Sequence, residues 1–532
     1  MAKVAVLDQV AGDLPAAKEC LLQFIPLLLL FLLPLFFSIT WPWRGRGRKR
    51  LPPSPPALPL IGHAHLVGAL PHVSLRRLAE QHGGEDGLMM LRLGVVPTLV
   101  ASSVSAAQAV LRTHDLSFAS RPQSICGEVL LYGPSDMAMA PYGERWRLAK
   151  KLATTHLLST KKVHSLRAAR EEEVALVIDK IQCAAVRRAT VDMSELLSKF
   201  TNDIVCRAVA GRSFRLEGRD RVFRKLIDDG LVLLSGFNLE NFYPGLARAA
   251  GGLLTWSVRR KAEKIRVQWD RFLDKLIDEH AKEKADGCGS DQECDFIHVL
   301  LSVQEEYDLS RDNIKAILAN MFAAGTDAAY LTLEFAMVEL MLHQEAMAKL
   351  QHEVRSRVPK REKTINECSL IGMTYLKAVV KETLRLHPPS PLLLPHLSLE
   401  DCDVGGFQVP VGTTVLVNVW AIGRDPKLWE AAEEFIPERF IQNEEINKGA
   451  DFRGMDFQFL PFGSGRRMCP GINFALASIE IMLANLVYHF DWELPKGVDK
   501  IDMTEVFGLT VSRKEKLFLI PKTDMRYGAV YA

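Results

Sequence analysis

The sequence predicts a mainly α fold with a small β subdomain, preceded by one N-terminal transmembrane helix. Residues 20–39, CLLQFIPLLLLFLLPLFFSI, are almost wholly apolar. Most of the chain beyond residue 104 has helical period, whereas LMMLRLGVVPTLVASS at 88–103 carries β-branched runs broken by Gly94 and Pro97.

The apolar run has the ~20 residues that a helix needs to cross hydrocarbon. Arg44, Arg46, Arg48, Lys49 and Arg50 follow it. A basic cluster just after a span stays cytoplasmic. Residues 1–19 are therefore expected in the lumen, 20–40 as a single-pass anchor in membrane lipid, and the body on the cytoplasmic side. No small-residue cleavage site precedes the arginines, which opposes a cleaved signal peptide. Pro26 and Pro34 are tolerated better in a membrane helix than in a soluble one. LPPSPPALPLIG at 51–62, with five prolines in nine residues, reads as a stiff spacer ending a basic, proline-rich linker over 41–62. A folded body is expected over 63–525 and a short tail over 526–532.

The 532 residues, 48% hydrophobic and 24% charged, are enough for a large core. Net charge is +2 with acids and bases balanced, so the basic surface of a nucleic-acid binder is missing and nucleic acid is excluded as a partner. Nine scattered cysteines without CxxC spacing argue against a disulfide framework and for a reducing compartment. Helices are expected at 105–113, around Trp146, and at 166–186, 256–280 and 313–342, with a solvated loop at 282–293. The segment 314–342 is apolar on nearly every face and about 45 Å long at ~1.5 Å per residue, so it crosses the core. It contains Ala324, Gly325, Thr326 and Asp327. A mid-helix glycine costs roughly 1 kcal/mol relative to alanine, so something must need the gap at Gly325.

The chemistry concentrates near the C-terminus, in Phe462-Gly463-Ser464-Gly465-Arg466-Arg467-Met468-Cys469-Pro470-Gly471, ahead of an apolar helical segment at 472–490. A cysteine at a helix start has its thiolate stabilised by backbone N–H groups and the helix dipole. Glycines there let the backbone approach a flat ligand and turn tightly. A thiolate is a strongly donating axial ligand to heme iron. The plain alternative for a lone cysteine is a buried structural role.

FGSGRRMCPG resembles the FxxGxRxCxG heme loop of the cytochrome P450 family, and three further elements match in the family's order between residues 52 and 521. Glu382-Thr383-Leu384-Arg385 resembles its ExxR helix, and Pro437-Glu438-Arg439-Phe440 its PERF segment. Trp146 and Lys150 resemble its WxxxR pair, with lysine in place of arginine. The resemblance implies the cytochrome P450 fold and heme b (iron protoporphyrin IX) on the metal ligand Cys469, within a loop that includes Phe462, Gly463 and Gly471. It implies heme propionates held by Trp146, Lys150, His396 and Arg467, and a structural network of Glu382, Arg385 and Arg439. Lysine offers a point charge rather than a bidentate fork, so its contact should be weaker than arginine's.

One departure matters. Where the family has AGxDT[TS] this chain has Ala324-Gly325-Thr326-Asp327-Ala328-Ala329, so Ala328 replaces a threonine whose hydroxyl helps deliver protons during O2 activation. Asp327 remains as a proton conduit. The chain has no nucleotide or flavin motif of its own, so an NADPH-dependent flavoprotein reductase is the implied electron donor for inserting an oxygen atom of O2 into a small apolar substrate. The prolines after the anchor, HLVGALPH, LLYGPSDMAMAPYGERW, AAGTDAAYLTLEFAMVEL and INFALASIEIMLANLVYHFDWELP together resemble plant microsomal members, and most resemble the grass enzymes that hydroxylate indole and its lactams toward benzoxazinoids. That resemblance implies the endoplasmic reticulum membrane and a pocket from 124–131, 320–328, 391–394 and 507–511. Ala328 leaves two alternatives: a reductase-independent heme-thiolate enzyme of rearrangement or dehydration, and an inactive heme-binding protein.

Overall fold

The long apolar helix spans Arg311–Leu342 and is the axis on which the other elements pack. Its start is fixed by a capping box in which the Ser310 side chain accepts from Asn313 N–H and the Asn313 side chain accepts from Ser310 N–H. Buried residues lie on every face, which is the physical meaning of its mostly apolar composition. The structure, a computed structural model, describes residues 50–523 except 216–219, 236–238, 250–254, 286–294, 361 and 442–450. The expected anchor at 20–40, the basic residues before Arg50, most of the loop at 282–293 and the tail lie outside the described residues.

Seven helices position the site: α1 (Glu144–His156), α2 (Met193–Ala210), α3 (Asp220–Ser235), α4 (Trp256–Ala285), α5 (Arg311–Leu342), α6 (Thr374–Leu386) and α7 (Ile472–His489). α5 packs most extensively on α2, then on α7 and α6. Gly325 admits a close contact with α2: a Cβ there would lie 2.9 Å from Val205 Cγ2. The gap therefore serves helix packing. Among the described residues only α7 is long and apolar enough to cross a membrane, and its central residues are buried in the core.

The expected hairpin is present. β1 (Leu88–Leu93) pairs antiparallel with β2 (Val96–Ala101) across the Gly94-Val95 turn. The sheet continues from β2 to the parallel strand β4 (Thr414–Val417) and then to β3 (His396–Leu397), antiparallel to β4. Pro97, which has no N–H, sits just outside the β2–β4 register that starts at Thr98. Near the C-terminus β5 (Glu505–Phe507) and β6 (Val511–Arg513) form a short hairpin.

The proline-rich segment does not stand free as a spacer. Met90 N–H donates to Pro53 O at 2.8 Å, Gln408 N–H to Arg50 O at 2.8 Å and His63 N–H to Arg92 O at 2.7 Å. Pro52 and Pro55 are buried. Extended backbone satisfies sheet-edge donors as well as it bridges a gap, and here it does the former.

Candidate active site

The Cys469 loop comes before α7, and Cys469 N–H donates to Phe462 O at 3.0 Å, closing the loop on itself. Gly465 has φ +69°, and a Cβ there would fall 2.3 Å from Leu111 O and 2.6 Å from Asp115 Oδ1. Its need for glycine thus comes from packing on the 109–115 segment, not from a ligand. Gly463 also has a positive φ, and the space beside it is filled by Leu393 at 3.4 Å. Gly471 lies beside the thiol, where a Cβ would be 3.7 Å from Sγ.

Cys469 is exposed although protein surrounds it, so its side chain opens onto an inner surface of the fold. Burial pushes the thiol up from its ordinary range, while the Gly471 N–H and the Lys150 charge oppose that shift. The helix start does not by itself give a thiolate here. A bound cation that coordinates the sulfur would deprotonate it.

Beside the thiol, side chains from distant parts of the chain converge on the backbone of residues 137–140. Trp146 Nε1 donates to Met137 O at 3.0 Å, and Arg467 donates to Ala119 O and Ala140 O, each at 2.6 Å. Arg121 donates to Leu394 O at 2.7 Å, Pro395 O at 2.9 Å and Ala138 O at 3.2 Å. Asn320 of α5 accepts from the N–H groups of Met137 and Ala138 at 2.9 and 3.0 Å. The Arg467 guanidinium stacks 4.3 Å over the Trp146 ring, the Lys150 ammonium lies 5.3 Å from that ring, and Lys150 also donates to Arg466 O.

These cations are electrostatically uncomfortable. Arg121 is pushed down to about 9 by burial, with the Arg467 charge adding and Asp136 opposing. Burial likewise brings Arg467 down to about 10 and lowers Lys150, whose neighbour Arg467 adds to the shift. His396 lies well below its ordinary value through burial and the charges of Arg121 and Arg467. Its Nδ1 is 2.8 Å from Phe118 O, an acceptor only, so Nδ1 carries the proton and neutral Nε2 cannot donate. Among the described residues Arg121, Lys150 and Arg467 make no ion pair with a carboxylate. Three cations drawn from solvent against the buried carboxyl of Asp136 leave an excess of positive charge, which calls for a polyanion. An accessible thiol next to such a cluster fits iron protoporphyrin, with sulfur for the metal and cations for two propionates.

Behind this site, Arg385 holds Glu382 bidentately at 2.7 and 2.8 Å, and Arg439 Nε reaches the same carboxylate at 2.9 Å. Arg385 also donates to the carbonyls of Gly423, Ala432 and Glu434, and Ile436 N–H donates to Glu382 at 2.8 Å.

The family model for cytochrome P450 matches residues 52–520. The chain belongs to the cytochrome P450 family. It is 54% identical to "indole-2-monooxygenase" of Zea mays over 88% of this chain and 87% of that protein. It is 50% identical to "Indolin-2-one monooxygenase" of Zea mays over 97% of both chains. It is also 47% identical to the maize "3-hydroxyindolin-2-one monooxygenase" over 89% of both. A solved zebrafish cytochrome P450 with progesterone superposes with a TM-score of 0.70 at 25% identity, over 86% of this chain and all of that one. The chain is thus a cytochrome P450 monooxygenase, and its cofactor is heme.

In this P450, the Asp327 side chain meets the C-terminal hairpin and lies near α3. Thr510 Oγ1 donates to Asp327 Oδ2 at 2.5 Å. Burial raises the Asp327 carboxyl, the Thr510 hydrogen bond opposes this, and Asp228 and Arg224 of α3 add smaller effects of opposite sign. Ala328 offers no hydroxyl. Thr326 and Thr332 are spent on their own helix, donating to Phe322 O at 2.8 Å and Ala328 O at 2.9 Å.

Sequence reasoning missed Arg121 and Thr510. Arg121 sits in the run ASRPQ, where no period or spacing marks it, and only the fold brings it beside Arg467. Thr510 was read as part of the pocket region 507–511, without a role.

Proposed function

We propose that Cys469 ligates the heme iron, with Phe462, Gly463 and Gly471 shaping its loop, and that Trp146, Lys150, Arg467, Arg121 and a protonated His396 hold the propionates. The enzyme inserts one atom of O2 into a small apolar indole-like or benzoxazinoid-like substrate. Electrons come from NADPH through a separate flavoprotein reductase. The observation that carries the cofactor placement is the accessible thiol beside cations that, among the described residues, form no ion pair with a carboxylate. The substrate class rests on likeness to the maize indole and indolinone monooxygenases.

When bound, the heme supplies O2 activation, with O–O cleavage favoured by a donating thiolate ligand. The chain's own residues do the rest. A dianion beside His396 would favour its charged form, turning Nε2 into a donor. The Asp327 carboxyl, raised by burial, and the Thr510 hydroxyl together hold and pass a proton, doing the work for which Ala328 has no group. Thr510 is in turn held close to α5 because Arg513 of the same hairpin pairs with the buried Glu334 at 3.2 Å. An N-terminal anchor at 20–40 tethers the cytoplasmic body to the endoplasmic reticulum membrane; the exposed Leu58, Leu60 and Ile61 near the start of that body support a surface lying against lipid.

The test is turnover by full-length enzyme reconstituted with an NADPH-dependent reductase, using indole and indolin-2-one under isotopically labelled O2. Labelled product that needs both NADPH and O2 supports the reading. Product formed without either would instead support a reductase-independent rearranging enzyme, the alternative that Ala328 keeps open.

A further inference from the structure

Away from the site just described, α4 ends beside the helix Phe296–Ser302, and three side chains there meet on one oxygen. Asp295 Oδ2 is 3.2 Å from His280 Nε2 and 3.0 Å from His298 Nδ1. His280 is fully buried, Asp295 nearly so, and their ligand atoms together with that of His298 all lie within 4.8 Å of one another. We propose that His280, Asp295 and His298 bind a divalent transition-metal ion of the zinc class, clamping the end of α4 to the start of the 296–302 helix.

Zinc bonds to nitrogen and oxygen of about 2.0–2.2 Å put tetrahedral ligand atoms roughly 3.3–3.5 Å apart; the two contacts to Asp295 Oδ2 are close to that, while the ligand atoms as a set reach 4.8 Å, so the two imidazoles must draw together when the ion binds. The imidazole centroids are 4.8 Å apart and tilted by 58°, so both rings can point a nitrogen at one centre without stacking.

Each ring's other nitrogen has the partner that a ligating histidine needs. His280 Nδ1 is 2.7 Å from Leu276 O, a pure acceptor, so Nδ1 carries the proton and the neutral ring turns the Nε2 lone pair toward Asp295. Nε2 is also 3.4 Å from Ala210 O, another acceptor. Only a cation or a second ring proton reconciles a lone pair with two acceptors. His298 Nε2 faces Glu283 Oε2 at 3.8 Å, the second-shell carboxylate that would orient this ring. The surroundings favour positive charge as well: Asp295, Glu283 and Glu279 stand against Arg212, which pairs with both glutamates, and Lys275, which pairs with Glu279. Asp295 Oδ1 is occupied separately, accepting from His298 N–H at 2.9 Å, so its carboxylate is held rigidly with Oδ2 left for the ion. Two nitrogens and one carboxylate oxygen are a ligand set for zinc rather than for magnesium or calcium.

The experiment uses tag-free, full-length, heme-loaded enzyme, stripped with a chelator and dialysed against zinc alone. Zinc per heme iron is measured by elemental analysis, the affinity by competition with a chromophoric chelator, and melting with and without zinc. One zinc per iron is expected, with a melting temperature raised by a few degrees at saturating zinc. His298→Gln and Asp295→Asn should abolish both effects while leaving the carbon-monoxide spectrum of the heme unchanged, and Glu283→Gln should weaken zinc by about 10–100-fold. Should a ligand variant lose its heme through misfolding, Glu283→Gln at the cluster's rim serves as the readout in its place. Wild-type enzyme that retains no more zinc than the His298→Gln/Asp295→Asn double variant, or Glu283→Gln with undiminished affinity, overturns the proposal and leaves an imidazolium hydrogen-bonded to a carboxylate.

Discussion

Around Glu382, two arginines and a carboxylate close their charges on one another and on backbone groups, with Glu382 and Arg385 essentially excluded from solvent. Around Arg467, one buried arginine and two partly buried cations gather, yet among the described residues every hydrogen bond they make there is to a carbonyl oxygen, and burial depresses them all. Both groups are arginine clusters; only the first is complete. A closed network holds the chain together. An open one is held together by the chain and waits on a ligand's charge. The contrast separates a stability device from a binding site more sharply than either sequence motif does, since ExxR alone is only an i,i+3 pair.

The largest effect should come from opening the closed network. Glu382→Gln leaves Arg385 and Arg439 without their counter-ion, and breaking a buried pair costs about 3–5 kcal/mol. Chemical denaturation of the heme-loaded enzyme should show that loss, or the variant should fail to accumulate. A variant as stable as wild type would mean that the carbonyls around Arg385 suffice and the comparison collapses.

Removing a cation from the open cluster should act on the ligand instead. Arg121→Met relieves a buried charge, so soluble yield should hold or rise. Heme transfer to a scavenger protein should quicken by about 10–100-fold, the equivalent of the ~1.5–3 kcal/mol carried by a charged hydrogen bond. Equal heme retention in both proteins would take Arg121 out of the site. Lys150→Arg sharpens the same point in the opposite direction: a bidentate fork should slow heme loss by roughly threefold, a gain under ~1 kcal/mol.

Smaller effects are expected where no heme contact is at stake. The Thr510 hydrogen bond holds the Asp327 carboxyl down against burial, so Thr510→Val should push it further up. Because a higher value means protonation persists to higher pH, the acid limb of product formed per NADPH should move toward alkaline pH. An unmoved profile would detach Thr510 from proton delivery. Ala328→Thr should have the least effect: it restores a hydroxyl worth ~1 kcal/mol, raising product per NADPH for substrate analogues that lack a donor group and leaving the preferred substrate unchanged or slightly worse by crowding.

Local chemistry was legible in the sequence wherever a period or a spacing carried it. The apolar character of α5 on nearly every face implied a helix through the core, and Gly94 between β-branched runs implied the hairpin. The family resemblance, rather than spacing, implied the Glu382, Arg385 and Arg439 network, which the fold brings into contact. What escaped depends on contacts between remote segments. Arg121 and Arg467 are 346 positions apart in the numbering and are brought together by the 137–140 backbone, to which both donate. Asp327 and Thr510 meet across a hairpin that no local signal places over α5. Gly325 was recognisable as a gap, but Val205 as its occupant was not. The prolines after residue 51 gave extended geometry correctly, while whether that extension bridges or docks is decided by the free sheet-edge groups it finds.

The central claim is that Cys469 is the axial thiolate on heme iron. The carbon-monoxide adduct of the reduced full-length enzyme tests it most directly. The wild type should show the red-shifted Soret band from which the family takes its name, and Cys469→His should replace it with the shorter-wavelength band of a nitrogen-ligated heme. A wild-type adduct that already shows the shorter-wavelength band, or a Cys469→His variant that keeps the red-shifted one, would contradict the account.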